Sequence, residues 1–363
     1  MYDFKSIIKN FQLDGEFLSC TRYGEGHINQ TFLLTMIKDG KKTDYILQRI
    51  NDNLFKRVDK LMENIRLITE YNRKKIQARG GNPDRESLSL VYAKDGKPFA
   101  FIDGVGYFRV YKFIFDAIAY QNVQKPEHFY QSAVAFGNFA KLLAEFDTSV
   151  LYESLPDFHN TEKRYQNFLR AVEEDKMGRA ESVRAEIGFV KERKDYCGRI
   201  VNLLKSGEMP TRVTHNDTKL NNVMLDKDSG EPVAVIDLDT VMQGSLCYDF
   251  GDSIRFGCNH ADEGEPELTK VNFDIELFKE YTKGYLSAIG DSITEIEKQN
   301  LAFGAILMTY ECGMRFLTDY LEGDTYFRIK RPSHNIDRTR MQFKLVTDME
   351  KALPEMEKIV NEY

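Results

Sequence analysis

Two carboxylates and an amide in one stretch of the chain have the types and the order that metal-assisted chemistry on a phosphate requires. Asp217 lies in a polar loop, Asn222 follows five positions later, and Asp237 ends the apolar run Val233–Ile236. A carboxylate can accept the proton of an attacking hydroxyl, and an Asn and a second carboxylate supply the oxygen ligands that Mg²⁺ prefers. The set therefore predicts phosphoryl transfer, with Asp217 as the base and Asn222 and Asp237 as metal ligands.

Four neighbours of this set have roles that the spacing defines less sharply. We expect His215 to hold the loop through hydrogen bonds and not to move a proton. Lys219 either touches the γ-phosphate or lies in solvent, and Asp239 either supports the metal or forms a structural salt bridge. Asp249 begins the letters Asp-Phe-Gly, a metal-binding motif in protein kinases. It follows no strand pattern and lies where a helix begins, so we expect a structural acceptor and not a metal ligand.

Apolar periodicity predicts the elements that must position these residues. Apolar side chains recur every three or four positions between Val58 and Ile68, which is typical of a helix with one buried face. From about residue 118 the pattern is helical, apart from a β segment at 212–238. This segment carries Asp217, Asn222 and Asp237, which we call the reactive set. The predicted elements of the first part are strands at 17–23, 27–36 and 43–50, a helix at 53–79, and short strands at 88–92, 98–102 and 106–113.

We therefore predict an α+β protein of two lobes that share a cleft. Residues 1–114 are expected to form a small nucleotide-binding lobe with an antiparallel sheet and one long helix. Residues 115–363 are expected to form a larger, mostly helical lobe with the catalytic loop and the substrate pocket.

The composition narrows the classes of partner. The 363 residues include 50 Lys and Arg against 57 Asp and Glu, a net charge of −7, which disfavours DNA or RNA as a ligand. The five cysteines are odd in number and include no C-x-x-C pair, so we expect neither a zinc site nor a disulfide framework. The N-terminus is unlike a signal peptide, and no apolar run reaches about 18 residues. A cytoplasmic protein with small-molecule partners and no membrane contact is expected.

The stretch Thr214–Asn222 resembles the catalytic loop His-Arg-Asp-x-x-x-x-Asn of protein kinases. The variant His-Asn-Asp, followed by Ile-Asp-Leu-Asp, is similar to the aminoglycoside phosphotransferase and choline kinase branch of the protein-kinase-like fold. More of the chain resembles N-acetylhexosamine 1-kinases in particular, and the resemblance extends over nearly the whole sequence. Its further segments are Tyr23–Asn29, Tyr45–Asn51, Arg109–Ile114, Ile236–Thr240, Asp249–Gly257, Glu311–Leu317 and Tyr320–Phe327.

This resemblance implies a transferase in carbohydrate metabolism that phosphorylates the anomeric hydroxyl of N-acetylglucosamine or N-acetylgalactosamine with ATP and Mg²⁺. Adenine is expected against the backbone of a strand at the lobe hinge. Arginine donors suit sugar hydroxyls and the acetamido carbonyl, and aromatic faces suit a sugar ring. The residues expected to bind ATP are Gly24, Gly26, Arg49, Arg109, Tyr111 and Lys112. Those expected to bind the sugar are His27, Arg255, Phe256, Arg315 and Tyr326.

One departure from the kinase pattern stays open. Kinases carry a Lys on the third strand that pairs with a helix Glu, whereas this chain has Gln48 and Arg49 there. Adjacent strand residues face opposite sides, so only one of the two can serve. Glu63 is a possible partner, although a surface charge is the simpler interpretation.

Two other functions remain alternatives to the sugar 1-kinase. One is a kinase of another small alcohol, such as an aminoglycoside, choline or a homoserine-like compound. The other is an inactive binding module, which would be expected to have lost part of the reactive set. A protein kinase is the least favoured, since no Ala-Pro-Glu segment follows the Asp237 region.

Overall fold

The computed structural model describes residues 2–24, 28–123 and 125–363, and the chain forms two compact units. The first unit consists of Met1–Ile118, Ser149–Leu155 and Met224–Met242. The second consists of Ala119–Thr148, Pro156–Val223 and Gln243–Tyr363. The β segment that carries the reactive set is therefore divided between the units. Within the described ranges no helix has the length and apolar character that crossing a membrane would require.

Strands dominate the first unit and helices the second. The strands are β1 (Glu16–Arg22), β2 (Gln30–Lys38), β3 (Lys41–Arg49), β4 (Leu90–Val91), β5 (Ala100–Ile102), β6 (Gly106–Lys112), β7 (Ala117–Ile118), β8 (Arg212–Thr214), β9 (Val223–Asp226), β10 (Pro232–Val235) and β11 (Met242–Gly244). The helices are α1 (Phe4–Ile8), α2 (Val58–Ala78), α3 (Pro83–Glu86), α4 (Pro126–Leu142), α5 (Thr161–Glu174), α6 (Arg184–Glu192), α7 (Tyr196–Ser206), α8 (Leu246–Gly257), α9 (Ile275–Ile289), α10 (Glu295–Gln299), α11 (Leu301–Glu322) and α12 (His334–Glu362).

The main sheet of the first unit has the antiparallel order β1-β2-β3-β6-β4, with β5 also paired to β6. One face packs on a hydrophobic cluster in which Leu47, Phe108 and Val110 are fully buried. Side chains alternate across a strand, so Gln48 and Arg109 lie on the other face. These two residues are also paired in the β3–β6 register. The sheet thus carries Gln48 and Arg109 on the side away from that cluster.

The long helix of the first unit forms as predicted but begins at Val58 and not at residue 53. The Oδ1 of Asn51 accepts hydrogen bonds from the backbone N–H groups of Asn53 (3.2 Å) and Leu54 (3.3 Å). The N–H of Phe55 also donates to the Asn51 carbonyl (2.9 Å), so residues 51–55 form a single capped turn, and the continuous helix begins after it. The first three strands are confirmed to within a few residues, whereas the short strands β7 and β11 were not predicted.

The second unit brings α8 into very close contact with α11. A Cβ on Gly251 would lie 2.3 Å from the carbonyl oxygen of Gly304, and one on Gly304 would lie 2.5 Å from that of Cys247. Only glycine permits this approach. The helix that follows the Asp237 region is therefore fixed against the longest apolar helix of the unit.

Candidate active site

The loop around Asp217 orients its carboxylate from both sides. Lys219 Nζ lies 2.8 Å from Asp217 Oδ1. The Nδ2 of Asn222 donates to Asp217 Oδ2 (3.1 Å) and to the Asp217 carbonyl (2.8 Å). The amide oxygen of Asn222 accepts no hydrogen bond from any described residue. Asn222 therefore steadies the expected base with its nitrogen and keeps its oxygen for another ligand.

Two carboxylates of α8 hold the backbone of this loop. Asp249 accepts hydrogen bonds from the N–H groups of His215 (2.7 Å) and Asn216 (2.8 Å). Asp252 accepts one from the N–H of Thr218 (3.1 Å). Asn216 has a φ of 63°, which residues other than glycine rarely adopt. The expectation that Asp249 is a structural acceptor is confirmed, and its partners are the residues just before Asp217.

Burial and charge set the protonation of these groups. Burial raises the pKa of Asp249 to about 6, although His215 and the backbone hydrogen bonds act to lower it. Burial also acts to raise the pKa of Asp252, but Arg255 and Lys219 outweigh it and leave that pKa below its ordinary value. The pKa of Lys219 is raised because Asp217 and Asp252 outweigh its own desolvation. An ammonium group therefore lies between two carboxylates beside the loop.

His215 is fully buried, and its ring packs edge-on against Phe136 and Phe139 at centroid distances of 5.5 and 6.0 Å. Together with its N–H bond to Asp249, this packing gives His215 a place in holding the loop.

Asp237 lies at a left-handed turn in the first unit, with φ 58° and ψ 64°, and a short 3-10 helix (Leu238–Thr240) follows. Asp239 forms a buried salt bridge with Arg109, so the structural alternative for Asp239 is realised. The Nδ2 of Asn29 donates to the other oxygen of Asp239 at 2.5 Å. Asn64 of α2 donates to the carbonyl of Val241 at 3.1 Å. Side chains from strand, loop and helix thus fix the segment after Asp237.

Arg49 and Gln48 point to different partners. Arg49 donates to the Val105 carbonyl at 3.0 Å and lies 3.4 Å from Asp52. Gln48 accepts a hydrogen bond from Arg109 Nε at 2.8 Å, so it shares a face with that residue.

Glu63 does not reach either strand residue. It pairs with Arg66 at 2.7 Å on a half-exposed helix face, and the surface interpretation of Glu63 is confirmed.

The remaining residues expected to bind ATP differ in exposure. Tyr111 is buried, with its ring 5.3 Å from the Arg109 guanidinium carbon, and Lys112 pairs with Asp84 at 2.9 Å near the surface. Gly24 has a φ of 69°, as the predicted turn requires. Gly26 and His27 lie outside the described residues.

An aromatic row beside these positions was missed by the sequence reasoning. The rings of Tyr23 and Phe113 are 6.0 Å apart, and those of Phe113 and Phe115 are 5.1 Å apart. Tyr23 is 42% and Phe115 51% exposed, so the row offers apolar surface to a flat ligand. The position of Phe113 and Phe115 just after β6, and of Tyr23 just after β1, was the only signal available, because no periodicity distinguishes exposed rings from core rings.

Of the residues expected to bind sugar, Arg255 is already engaged. Its Nε and Nη2 both donate to Asp252 Oδ1, at 2.9 and 2.7 Å. Phe256, its neighbour on α8, is partly buried. Arg255 therefore supports the carboxylate that holds the loop through two of its three nitrogens.

Arg315 is arranged differently. Its guanidinium carbon lies 5.2 Å from the ring of Phe158, 5.9 Å from that of Tyr326 and 5.5 Å from that of Phe327. Within the described part of the chain its N–H groups donate to no acceptor, and Tyr326 is 59% exposed. A guanidinium among aromatic faces, with its donors unused, suits a ligand rich in hydrogen-bond acceptors.

A second guanidinium near Arg315 was not predicted. Among the residues that the structure describes, Arg164 donates to the Phe158 carbonyl alone, at 3.2 and 3.1 Å. Burial, and next to it the charge of Arg315, lower the pKa of Arg164. Glu311 of α11 is shared with His159 (2.9 Å) and Thr161 (2.6 Å) and pairs with neither arginine. No sequence signal marks Arg164, which lies on an ordinary charged helix face.

The candidate metal ligands, the amide oxygen of Asn222 and the carboxylate of Asp237, suit Mg²⁺ better than a transition metal. Among residues 2–24, 28–123 and 125–363, no three His, Cys, Asp or Glu side chains are grouped to hold a metal ion. Mg²⁺ needs only one or two protein carboxylates because it keeps several waters and binds substrate phosphates. The unused amide oxygen of Asn222 is the kind of ligand that Mg²⁺ accepts.

Comparison with known proteins agrees with this chemistry. A model of the phosphotransferase enzyme family matches residues 19–286. An aminoglycoside phosphotransferase from Alicyclobacillus acidocaldarius has 14% identity and a TM-score of 0.64, with coverage of 99% of this chain and 96% of that chain. A choline kinase from Cryptosporidium parvum has 13% identity and a TM-score of 0.58, with coverage of 99% and 98%. A spectinomycin phosphotransferase solved with ADP and spectinomycin has 12% identity and a TM-score of 0.55, with coverage of 97% and 98%. The predicted α+β, protein-kinase-like fold is confirmed.

Proposed function

Since the chain belongs to the phosphotransferase enzyme family, we propose that it transfers the γ-phosphoryl group of ATP to the 1-hydroxyl of an N-acetylhexosamine. The product is the N-acetylhexosamine 1-phosphate, from either N-acetylglucosamine or N-acetylgalactosamine. The observation that carries the phosphoryl-transfer part is the Asp217 carboxylate, oriented by Asn222 and Lys219 in a loop held by α8.

In this proposal Asp217 accepts the proton of the anomeric hydroxyl as that oxygen attacks the γ-phosphorus. The bond from the γ-phosphorus to the β,γ-bridging oxygen breaks, and ADP leaves. An anomeric hydroxyl is more acidic than an ordinary alcohol, so a carboxylate is an adequate base. Lys219 lies 2.8 Å from the base and balances its charge before the proton arrives.

Asn222 and Asp237 are the residues that would hold Mg²⁺. When bound, the ion neutralises charge on the phosphate oxygens. For ATP itself we propose the turn at Gly24, with Gly26, and the backbone of β6 up to Lys112. The Arg109 side chain is 1% exposed, so any direct contact of Arg109 with ATP would come from its backbone. The use of ATP would make the reaction cytoplasmic.

The positive charge of Arg315 and Arg164 favours, as the substrate, a neutral sugar that is rich in hydrogen-bond acceptors. Arg315 and Arg164 form no ion pair among the described residues, and the nearby Glu311 is occupied by His159 and Thr161. A cationic acceptor such as choline or an aminoglycoside would meet like charge there, which disfavours binding. A sugar carrying an acetamido carbonyl supplies acceptors for the guanidinium, and Tyr326 supplies a face for the ring.

³¹P NMR of the product tests the proposal. The protein is incubated with ATP, Mg²⁺ and one acceptor at a time, namely N-acetylglucosamine, N-acetylgalactosamine, glucosamine, choline or an aminoglycoside. We expect a new phosphorus doublet, split by the anomeric proton, with the two N-acetylated sugars. Glucosamine is the matched control, since it replaces the acetamido carbonyl by a cation. Turnover on choline or an aminoglycoside, with none on the sugars, would reject the substrate and leave the Asp217 chemistry in place.

A further inference from the structure

The first unit buries a complete ion pair beside the Asp237 turn. Arg109 is 1% and the Asp239 side chain 5% exposed, and Arg109 Nη1 contacts Asp239 Oδ1. The same guanidinium donates through Nε to Gln48 (2.8 Å) and lies 3.8 Å from the sulfur of Met62 on α2. A pair this deep gives up the hydration of both charges, and burial of this kind often contributes little to stability. Asp239, the acidic member of the pair, lies two residues after Asp237, which suggests that the pair shapes the candidate metal site.

The geometry after Asp237 needs such a support. Asp237 has a φ of 58°, a conformation that residues with a side chain rarely adopt. It persists only where the surrounding contacts determine it. Asp239 receives Arg109 on one oxygen and Asn29 on the other, and Asn29 in turn accepts from the N–H of Asn51 at 3.0 Å. Asp239, two residues after the turn, is therefore tied directly to β6 and, through Asn29, to the residues that follow β3.

The strand cation of the kinase pattern is absent from β3, and its two candidates have other partners. Arg49 is bound to the Val105 carbonyl, and Gln48 carries no charge. Arg109 lies directly opposite Gln48 in the β3–β6 register and is bonded to it. On this face of the sheet, the residue opposite Gln48 is therefore a buried cation, Arg109 of β6.

We propose that Arg109 is a positioning residue for the metal ligand Asp237. It acts through Asp239, whose carboxylate it fixes, and so holds the left-handed turn in the conformation that presents the Asp237 carboxylate. The inference rests on the proposed function in one respect, the assignment of Asp237 to Mg²⁺. Partners that orient a metal ligand typically contribute a factor of about 10–100 to metal affinity or activity.

The test compares Arg109→Met with a double variant, Arg109→Gln with Asp239→Asn, which removes both charges and keeps hydrogen-bonding groups in place. Arg193→Met is the matched control, because it breaks an arginine–carboxylate pair of the second unit, Arg193–Glu350 (2.6 Å), that has no part in the turn after Asp237. Two quantities are measured for each protein. One is the Mg²⁺ concentration for half-maximal turnover, and the other is the rise in melting temperature that Mg²⁺ adds when ATP is already present.

We expect both Arg109 variants to need about ten-fold more Mg²⁺ or more, with the KM for the acceptor within about two-fold of wild type, and to lose most of the Mg²⁺-dependent rise in melting temperature. Arg193→Met should lower the melting temperature and leave the Mg²⁺ requirement unchanged. If Arg109→Met does not fold, the double variant decides. A Mg²⁺ requirement within two-fold of wild type in the double variant would overturn the inference. The melting measurement needs no sugar turnover, so a wrong acceptor would be recognised separately from a wrong role for Arg109.

Discussion

Two turns of this chain hold a carboxylate in place, and they do so with opposite charge. The loop on both sides of Asp217 is held by Asp249 and Asp252, which accept hydrogen bonds from backbone N–H groups. The segment after Asp237 is held by a guanidinium, that of Arg109, which binds a carboxylate. In the first support Arg255 pairs with Asp252 and Lys219 pairs with Asp217, so the acidic groups of the loop are partly neutralised. In the second the guanidinium is itself the support and neutralises Asp239. The difference indicates that acceptors hold a segment through its backbone N–H groups, whereas a donor holds a segment through its carboxylate.

The two supports also differ in their response to pH. The pKa of Asp249 is raised to about 6 by burial, within reach of ordinary conditions. An arginine cannot lose its proton in that range. Near pH 6 the loop of Asp217 should therefore lose part of its support, while the guanidinium that holds the turn of Asp237 stays charged.

The largest effect is expected from removing the base. Asp217→Asn keeps the shape of the side chain but cannot accept the proton, so kcat should fall by about 10²–10⁴-fold. The melting-temperature rise caused by ATP and Mg²⁺ should persist, because the metal turn is untouched. A variant with near-wild-type kcat would remove Asp217 from the role of base.

The matching change on the other turn is Asp237→Asn. The Mg²⁺ concentration for half-maximal turnover should rise by about ten-fold or more, since a carboxylate ligand is replaced by a weaker amide oxygen. A Mg²⁺ titration at saturating ATP measures this. An unchanged Mg²⁺ dependence would contradict the role of Asp237 as a metal ligand. The two turns could then no longer be compared as supports of two functional carboxylates.

The pH comparison is tested through Asp249→Asn. In the wild type, kcat should fall as the pH drops through about 6, because a protonated Asp249 can no longer accept both backbone hydrogen bonds fully. The variant has one acceptor oxygen, so its kcat should be about ten-fold lower near pH 8, in line with a lost hydrogen bond of about 1.4 kcal/mol. Its pH step near 6 should disappear.

As the pH falls, the contribution of Asp249 to the free energy of unfolding should rise, whereas kcat should fall. The raised pKa lies above the ordinary value of 3.8, so Asp249 takes up a proton on folding between pH 3.8 and about 6. This group alone therefore makes the fold more stable as the pH falls through that window. Asp274→Asn, at the N-cap of α9, is the control that should keep the pH step in kcat.

The smallest effect on turnover is expected from Arg315→Ala, which lies outside both turns. The KM for the N-acetylated sugar should rise by about ten-fold, the loss expected for a charged hydrogen bond of at least about 1.5 kcal/mol. The Mg²⁺ requirement and the KM for ATP should stay at the wild-type values. A change confined to the ATP KM would exclude Arg315 from the sugar site.

Some features of the site could be predicted from local spacing. Asp217 and Asn222 are five residues apart, and their contact is made within one loop, so the residue types were sufficient to pair them. The structural role of Asp249 was also predicted, from a helix start and the lack of a strand pattern in the sequence before it, although the short strand β11 does precede that helix. Arg164 and the row from Tyr23 to Phe115 could not be found in this way, because their neighbours come from distant parts of the chain.

The sequence by itself determined the reactive set, the antiparallel strands, the long helix and the fact that Gln48 and Arg49 point to opposite sides, since these follow from residue type and a two- or 3.6-residue period. Only the tertiary structure determined which of the two residues lies on the side of the hydrophobic cluster and which lies on the other side of the sheet. The fully buried Leu47 and Phe108 pack on the hydrophobic cluster, and that packing leaves Gln48 and Arg109 together on the other face. The tertiary structure also determined the partner of Asp239. A buried charge needs an opposite charge nearby, and packing supplies Arg109, which is 130 residues away in the sequence.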